Sequence, residues 1–269
     1  MNSSGLNREE TEEGLQTKWI GRKIVFFEEI GSTNEEAGKL ALEGCPHGTL
    51  VYANSQTGGR GRRGREWHTP KGHAIAMSFI LKPELEAEYA SMLTLVQAMA
   101  VAKAIEEICG LKAQIKWPND VLINEKKVCG ILTEMKMEGV NISSIIIGTG
   151  INVNQDDFPE EITEIATSLK RESGKIQSRE KLIKRICELF EKYFELFMEK
   201  RNLSGISEEY NSRLINAGRI VKVLDPNGEV TGQALGVNVL GELLVKTETG
   251  DLVNVYAGEV SVRGIYGYT

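Results

Sequence analysis

Residues 56–67, Gln-Thr-Gly-Gly-Arg-Gly-Arg-Arg-Gly-Arg-Glu-Trp, suit neither a helix nor an ordinary strand, and the surrounding chain must fold so as to present them. Gly58, Gly59, Gly61 and Gly64 let backbone amides come close to a ligand, while Arg60, Arg62, Arg63 and Arg65 supply planar cationic forks. Such a segment suits a phosphate or a carboxylate. Repulsion among the arginines predicts a loop that is mobile when empty and ordered when an anion is bound. Taken alone, the run also reads as a disordered RNA-binding segment or a solvated surface loop. Its flanks argue against both: an apolar strand-like segment, Gly48 to Ala53, leads in, and an alternating one, Ala74 to Leu81, leads out. The run is therefore an inserted loop of a folded domain.

The rest of the chain has ordinary globular composition. With 269 residues, 41% of them hydrophobic, it can bury one sizeable core and carry a small second module. The net charge is −6, so the basic loop is a local feature on an acidic protein, which disfavours a general nucleic-acid binder. Cys45, Cys109, Cys129 and Cys187 are widely spaced without a Cys-x-x-Cys pair, and His47, His68 and His73 include no His-x-x-x-His pair. The expectation is a reducing cytoplasmic location, with no disulfide and no zinc site. No signal peptide or apolar run of about 18 residues points to a membrane.

In chain order, residues 1–17 are polar and Glu-rich and read as a frayed or disordered tail. A first strand, Lys23-Ile-Val-Phe-Phe, ends at Gly31-Ser-Thr-Asn, and a helix is predicted from about Glu35 to Glu43, with Thr33 and Glu36 in capping-box spacing. On spacing alone, Ser32, Thr33 and Asn34 read as helix caps. Glu84 to Cys109 carries apolar residues at helical spacing and ends at Gly110.

The second informative stretch begins at Gln114. Pro118 interrupts a strand and leaves Trp117, Asn119 and Asp120 on an irregular segment. Asn124-Glu125-Lys126-Lys127 then lies between two apolar runs and reads as a hairpin tip. A turn and a solvated tip account for Asn119, Asp120, Lys126 and Lys127. Lys116, Trp117, Asn119 and Lys127 beside an arginine loop also suit the joint binding of a nucleotide and a carboxylate. Ser144 to Asn154 forms another apolar strand, ending in Gly and Asn where either a turn or a ligand site is usual. Ser178 to Lys200 is a core-facing helix. After Ala217-Gly218 the chain turns to short β-rich runs, Ile220–Leu224, the turn Asp225-Pro-Asn-Gly228, Glu229–Val239, Leu243–Thr247 and Leu252–Val262, which predict a barrel of about five strands.

Gly59-Arg-Gly-Arg-Arg-Gly-Arg65, Lys116-Trp-Pro-Asn-Asp120, Lys127-Val-Cys-Gly-Ile-Leu132 and Gly150-Ile-Asn-Val-Asn154, in this order, resemble the biotin protein ligases (biotin–[acetyl-CoA-carboxylase] ligases) over residues 18–269. The resemblance implies an α+β fold: a mixed β-sheet flanked by helices, of the class II synthetase-like kind, over residues 18–216, and a small SH3-like C-terminal domain over 217–269. It also implies an enzyme that uses MgATP to activate biotin as biotinyl-5′-AMP and transfers biotin to a lysine of the biotin carboxyl carrier protein. By motif, Ser32, Thr33, Asn34 and Gln56 would line the biotin ureido and ring site. Arg60, Gly61 and Arg62 would close over biotin and the adenylate, Lys127 would hold the carboxylate and acyl phosphate, and Gly130 would let the ligand pass close to backbone. Arg62 and Lys127 would be the catalytic cations. Arg62, Arg63, Arg65, Trp67, Lys116, Asn119 and Asn152 would receive ATP, with magnesium carried by ATP near Asn119 and Asp120.

Many bacterial members of that family begin with a winged helix-turn-helix and act also as repressors. Residues 15–24 resemble the linker after that module, so no operator binding is expected of this chain. On assembly, the expectation is a homodimer through a sheet edge. Two other readings stay open: a lipoate or octanoate ligase or transferase of the same fold, and a non-catalytic biotin sensor.

Overall fold

The computed structural model describes residues 6, 8–225, 228–257 and 261–264. In chain order the elements are α1 (Arg8–Glu12), β1 (Ile24–Phe27), α2 (Thr33–Leu42), β2 (Thr49–Ala53), β3 (Ala74–Leu81), α3 (Met92–Cys109), β4 (Gln114–Lys116), β5 (Asp120–Ile123), β6 (Lys126–Glu138) and β7 (Asn141–Asn152). They are followed by α4 (Leu169–Ser173), α5 (Arg179–Lys200), α6 (Ser207–Arg213), β8 (Ile220–Asp225), β9 (Gly228–Val237), β10 (Leu243–Thr247), β11 (Leu252–Val255) and β12 (Ser261–Gly264). The first seven strands make one sheet in the order β1-β2-β3-β7-β6-β5-β4, and the last five make a second sheet in the order β11-β10-β9-β8-β12. The large sheet is mixed: β1 and β2 run parallel across the α2 crossover, and the other pairs are antiparallel.

Strand alternation sends the two faces of the large sheet to different tasks. On one face Ile75, Met77, Phe79 and Leu81 of β3 and Ile145, Ile147 and Ile151 of β7 join α3 and α5 in the main core. On the other, Ile80, Ile146 and Val51 pack under Ala37 and Ala41 of α2. Along that second face the side chains then shrink: Ser78 lies opposite Gly148, Ala76 opposite Gly150, and Gly150 opposite Gly130. The face is filled beneath α2 and hollow just beyond its N-terminus. The arginine loop folds over this hollow.

Several local expectations are corrected. Residues 8–17 are not a frayed tail: Leu6, Thr11 and Leu15 are buried, and Lys184 Nζ donates to the carbonyls of Glu10 and Glu13. The linker that follows is anchored by Glu191, whose carboxylate accepts from the amides of Lys18, Trp19 and Ile20. Three apolar or small residues were enough to dock a segment whose composition is polar. The helix expected from Glu84 starts at Met92, after a single turn at Ala87–Tyr89, because Glu84, Glu86 and Glu88 precede the first continuously buried stretch. Ser32, not Thr33, is the N-cap of α2, accepting from the Glu35 amide. The tip of the β5–β6 hairpin is only Asn124-Glu125, with φ of 49° and 65°, the left-handed pair that a two-residue turn of this kind requires. Lys126 and Lys127 therefore belong to β6.

The C-terminal five-stranded sheet is an SH3-like module docked on the large sheet. Trp117 Nε1 donates to the Gly241 carbonyl at 3.0 Å, and the Trp117 amide donates to Asn216 Oδ1 at 2.9 Å. The turn after β4 is thereby bolted to the second domain. Of the expected Asp225-Pro-Asn-Gly228 turn, residues 226 and 227 lie outside the described residues, as do 258–260 of the run Leu252–Val262 and residues 1–5 and 7 of the tail.

Candidate active site

A β-bulge aims the central cation. Asp120 pairs with Gly130 and Val121 with Cys129, but Leu122 pairs with Lys127, so one extra residue, Val128, is inserted in β6. Without it, Lys127 and Gly130 would point to opposite faces; with it, Lys127 is brought to the hollow face beside Gly130. Its Nζ lies 2.6 Å from Asp120 Oδ1 and 5.5 Å from the Trp67 ring centre. The Lys127 backbone is held by bonds to Ile165 and Thr167. The neighbouring Cys129 is fully buried, and burial raises its thiol pKa well above the usual range, so it is not a nucleophile.

The arginine loop doubles back on itself, with the Gly61 amide donating to the Arg65 carbonyl at 2.7 Å and the Trp67 amide to the Gly59 carbonyl at 2.9 Å. This lays the Trp67 indole across the glycine row: a Cβ on Gly150 would overlap its Nε1, and one on Gly130 would lie 3.1 Å from its Cζ3. Trp67 Nε1 is buried with no hydrogen-bond partner among the described residues. Arg60 reaches Glu35 at 2.6 Å, Arg62 donates to Asn119 Oδ1 at 2.9 Å, and Arg63, at φ 58°, extends towards the Leu224 carbonyl of the second domain.

Two cavities meet at the loop. The smaller, about 50 Å³, is lined by Ser32, Thr33, Asn34, Gln56, Arg60 and Gly130, among others. Its polar wall is a connected network. Gln56 Oε1 accepts from both the amide and hydroxyl of Thr33, Gln56 Nε2 donates to Thr69, and Ser78 Oγ lies 2.9 Å from Thr33 Oγ1 and 2.7 Å from Asn34 Oδ1. The volume is far below the several hundred Å³ usual for a small-molecule pocket, because Trp67 occupies the glycine floor.

The larger cavity, about 540 Å³, is walled by Arg62, Arg63, Arg65, Lys116, Asn119 and Asn152, with Phe158, Ile165 and, from the second domain, Arg263. Burial lowers the Lys116 pKa to about 8, against the opposing pull of Asp120 and with the repulsion of Lys127, Arg263 and Arg65. Burial likewise lowers Arg62, opposed by Asp120 and reinforced by Arg63 and Arg65, yet a guanidinium stays cationic. Asn152 is held by Thr167 and Gln155. Gly61, Arg62, Trp67, Asn119 and Lys127 line both cavities.

Every residue that the motif resemblance assigns to biotin or ATP lines one or both of these cavities. Ser78, Glu134 and Arg263 were missed. Ser78 is the one hydroxyl in the otherwise apolar strand Ala74–Leu81, which is a usable signal; Glu134 and Arg263 stand in no distinguishing local pattern.

A mixed sheet with a hollow, glycine-floored face, covered by an arginine–glycine loop, defines a protein of the biotin/lipoate ligase class, and the model of the biotin/lipoate A/B protein ligase family matches residues 26–152. The model of the biotin protein ligase C-terminal domain matches residues 217–263. The bifunctional ligase/repressor BirA of Bacillus spizizenii is 40% identical over 96% of this chain and 79% of its own length. The biotin–[acetyl-CoA-carboxylase] ligase of Paracoccus denitrificans is 32% identical over 87% of this chain and 98% of its own. The biotin protein ligase of Aquifex aeolicus, solved in complex with biotin and ATP, superposes with a TM-score of 0.81 at 34% identity, covering 90% of this chain and 99% of that one. This chain belongs to the biotin protein ligase family.

Proposed function

We propose that this protein is a cytoplasmic, ATP-dependent ligase that converts biotin and MgATP to biotinyl-5′-AMP and pyrophosphate, then transfers biotin to one lysine of the biotin carboxyl carrier protein of acetyl-CoA carboxylase. The observation that carries the reading is the shared wall: Arg62, Asn119 and Lys127 face both cavities, so an acid in the smaller and a nucleotide in the larger would meet at two cations. The name of the Paracoccus relative and the ligands of the Aquifex structure support it. All four cysteines are unpaired, as suits a reducing compartment.

In this reading a carboxylate oxygen of biotin attacks the α-phosphorus of ATP and the bond to pyrophosphate breaks. Arg62 and Lys127 neutralise the charge that accumulates there, and Lys116, Arg65 and Arg63 hold the phosphates. Asn119 keeps Arg62 aimed. Thr33, Asn34 and Gln56 bind the ureido ring, and Trp67 leaves the glycine floor so that biotin can lie over Gly130 and Gly150. Magnesium would be bound through the triphosphate, with Asn119 and Asp120 as nearby oxygen donors, and would supply charge neutralisation. The acceptor lysine amine then attacks the acyl carbon, AMP departs with the anhydride oxygen, and the amine loses its proton to solvent. The closed loop keeps water from the anhydride.

The test is an intact-mass assay of a carboxyl carrier domain incubated with the protein, biotin and MgATP. One biotin-sized gain, dependent on ATP and lost when the acceptor lysine is replaced, is expected. A lipoyl gain in the parallel incubation with lipoate would move the assignment to the lipoate branch, and biotin binding without AMP release would make the protein a sensor.

A further inference from the structure

Glu134 lies outside both cavities, on the exposed part of β6, yet its carboxylate accepts from Asn34 Nδ2 at 2.7 Å. A carboxylate only accepts, and the Leu132 carbonyl accepts from the same nitrogen at 3.3 Å. The Asn34 amide therefore has one orientation, with Oδ1 turned to Ser78. Ser78 has a single proton, and it goes to that oxygen. Thr33 Oγ1, the other acceptor within reach of Ser78, is thereby left without that proton, and it donates its own to Gln56 Oε1. Gln56 is fixed as an acceptor by the Thr33 amide, and its own amide group donates to Thr69. With its proton satisfied internally, Thr33 has only a lone pair to offer the cavity.

We propose that Glu134 is a positioning residue that sets the hydrogen-bond polarity of the smaller cavity, so that Thr33 presents an acceptor and the site selects a ligand bearing an N–H, here a ureido nitrogen of biotin. The proposal rests on the reading of that cavity as the biotin site. Because Glu134 is exposed, its replacement opens no cavity in the core. Its effect travels through Asn34 and Ser78 to a single atom facing the ligand.

The test is a series at this one position, read by calorimetric titration of biotin. Glu134→Gln retains an acceptor oxygen and should bind biotin within about twofold of wild type. Glu134→Ala leaves only the long bond to Leu132 and should bind about three- to tenfold more weakly. Glu134→Lys offers donors alone, turns Asn34 Oδ1 towards itself and reverses Ser78, whose proton then falls on Thr33 Oγ1 and competes with the ligand for its lone pairs, so a loss of more than about tenfold is expected. In the same variant the preference for biotin over an analogue methylated on the ureido nitrogen should narrow, while the KM for ATP and the melting temperature stay at wild-type values. Equal biotin affinity across the series overturns the proposal, as does a parallel loss of ATP affinity and thermal stability. Wild-type protein that binds no biotin overturns the functional reading and this inference with it; wild-type binding with a flat series overturns this inference alone.

Discussion

Gly150 lies directly beneath Trp67, so that a methyl group on Gly150 would overlap the indole nitrogen. The contact explains why β7 carries glycine at both 148 and 150: the same addition at Gly148 would overlap the Asn34 amide. Two side chains from outside the sheet, one from α2 and one from the arginine loop, thus lie against glycine backbone.

Gly150→Ala should therefore displace Trp67 and raise the floor over which biotin would lie, without unfolding the sheet. Because the loop can yield, the overpacking cost should stay near the lower end of about 1–3 kcal/mol. Biotin-dependent pyrophosphate exchange should fall by about 100-fold, as expected when reacting groups are misplaced. A thermal melt beside the exchange assay separates the two effects.

Lys127 and Asp120 form a close ion pair whose side chains are 23% and 12% exposed. Lys127→Met removes the nearest cation from a carboxylate that Lys116 and Arg62 still act on, and should cost about 2 kcal/mol, less than breaking a fully buried pair. Adding Asp120→Asn should restore most of that stability. Adenylation should remain down by about 100- to 1000-fold in both, because the cation itself is missing. Urea unfolding of the single and double variants, with single-turnover AMP formation, measures both quantities.

Lys116 gives a pH signature. Its folded pKa of about 8 lies below the ordinary 10.5, so between those values the unfolded chain binds more protons and this residue's contribution to stability rises with pH. Nucleotide binding runs the other way, since a triphosphate favours the charged amine. The KM for ATP should increase as pH passes above about 8, and Lys116→Arg, which stays charged, should flatten the profile. Steady-state kinetics from about pH 7 to about pH 9.5 reveal the slope.

Arg62 joins the loop to Asn119 at the junction of the two cavities. Arg62→Gly should keep biotin activation measurable but release biotinyl-AMP, so that surface lysines of a bystander protein become labelled. Retention of the intermediate as tight as in wild type would show that closure does not depend on this arm. Streptavidin blotting of an added bystander is sufficient.

Much of the molecule was legible along the chain. The glycines and arginines of 56–67 announce an anion-binding loop, the period-2 runs announce the strands beside it, and the break at Pro118 announces the turn carrying Trp117 and Asn119. Local composition fixes such features because they depend on backbone freedom and side-chain charge within a few residues.

What the chain alone did not disclose depends on pairing between distant segments. The hairpin tip was read as including Lys126 and Lys127; the sheet instead takes both into β6, and the bulge at Val128 decides which face Lys127 joins. Spacing alone makes Asn34 and Thr33 capping residues and motif places them at the biotin site, but their meeting with Ser78 and Glu134, from β3 and β6, comes only with the packed sheet. The tail read as frayed until Leu6, Thr11 and Leu15 found cover. A one-residue change of register reverses every side chain in a strand, and register is settled by burial across the whole sheet. The residue types of the site are thus written in the sequence, while the direction in which each one points is decided by the packed sheet.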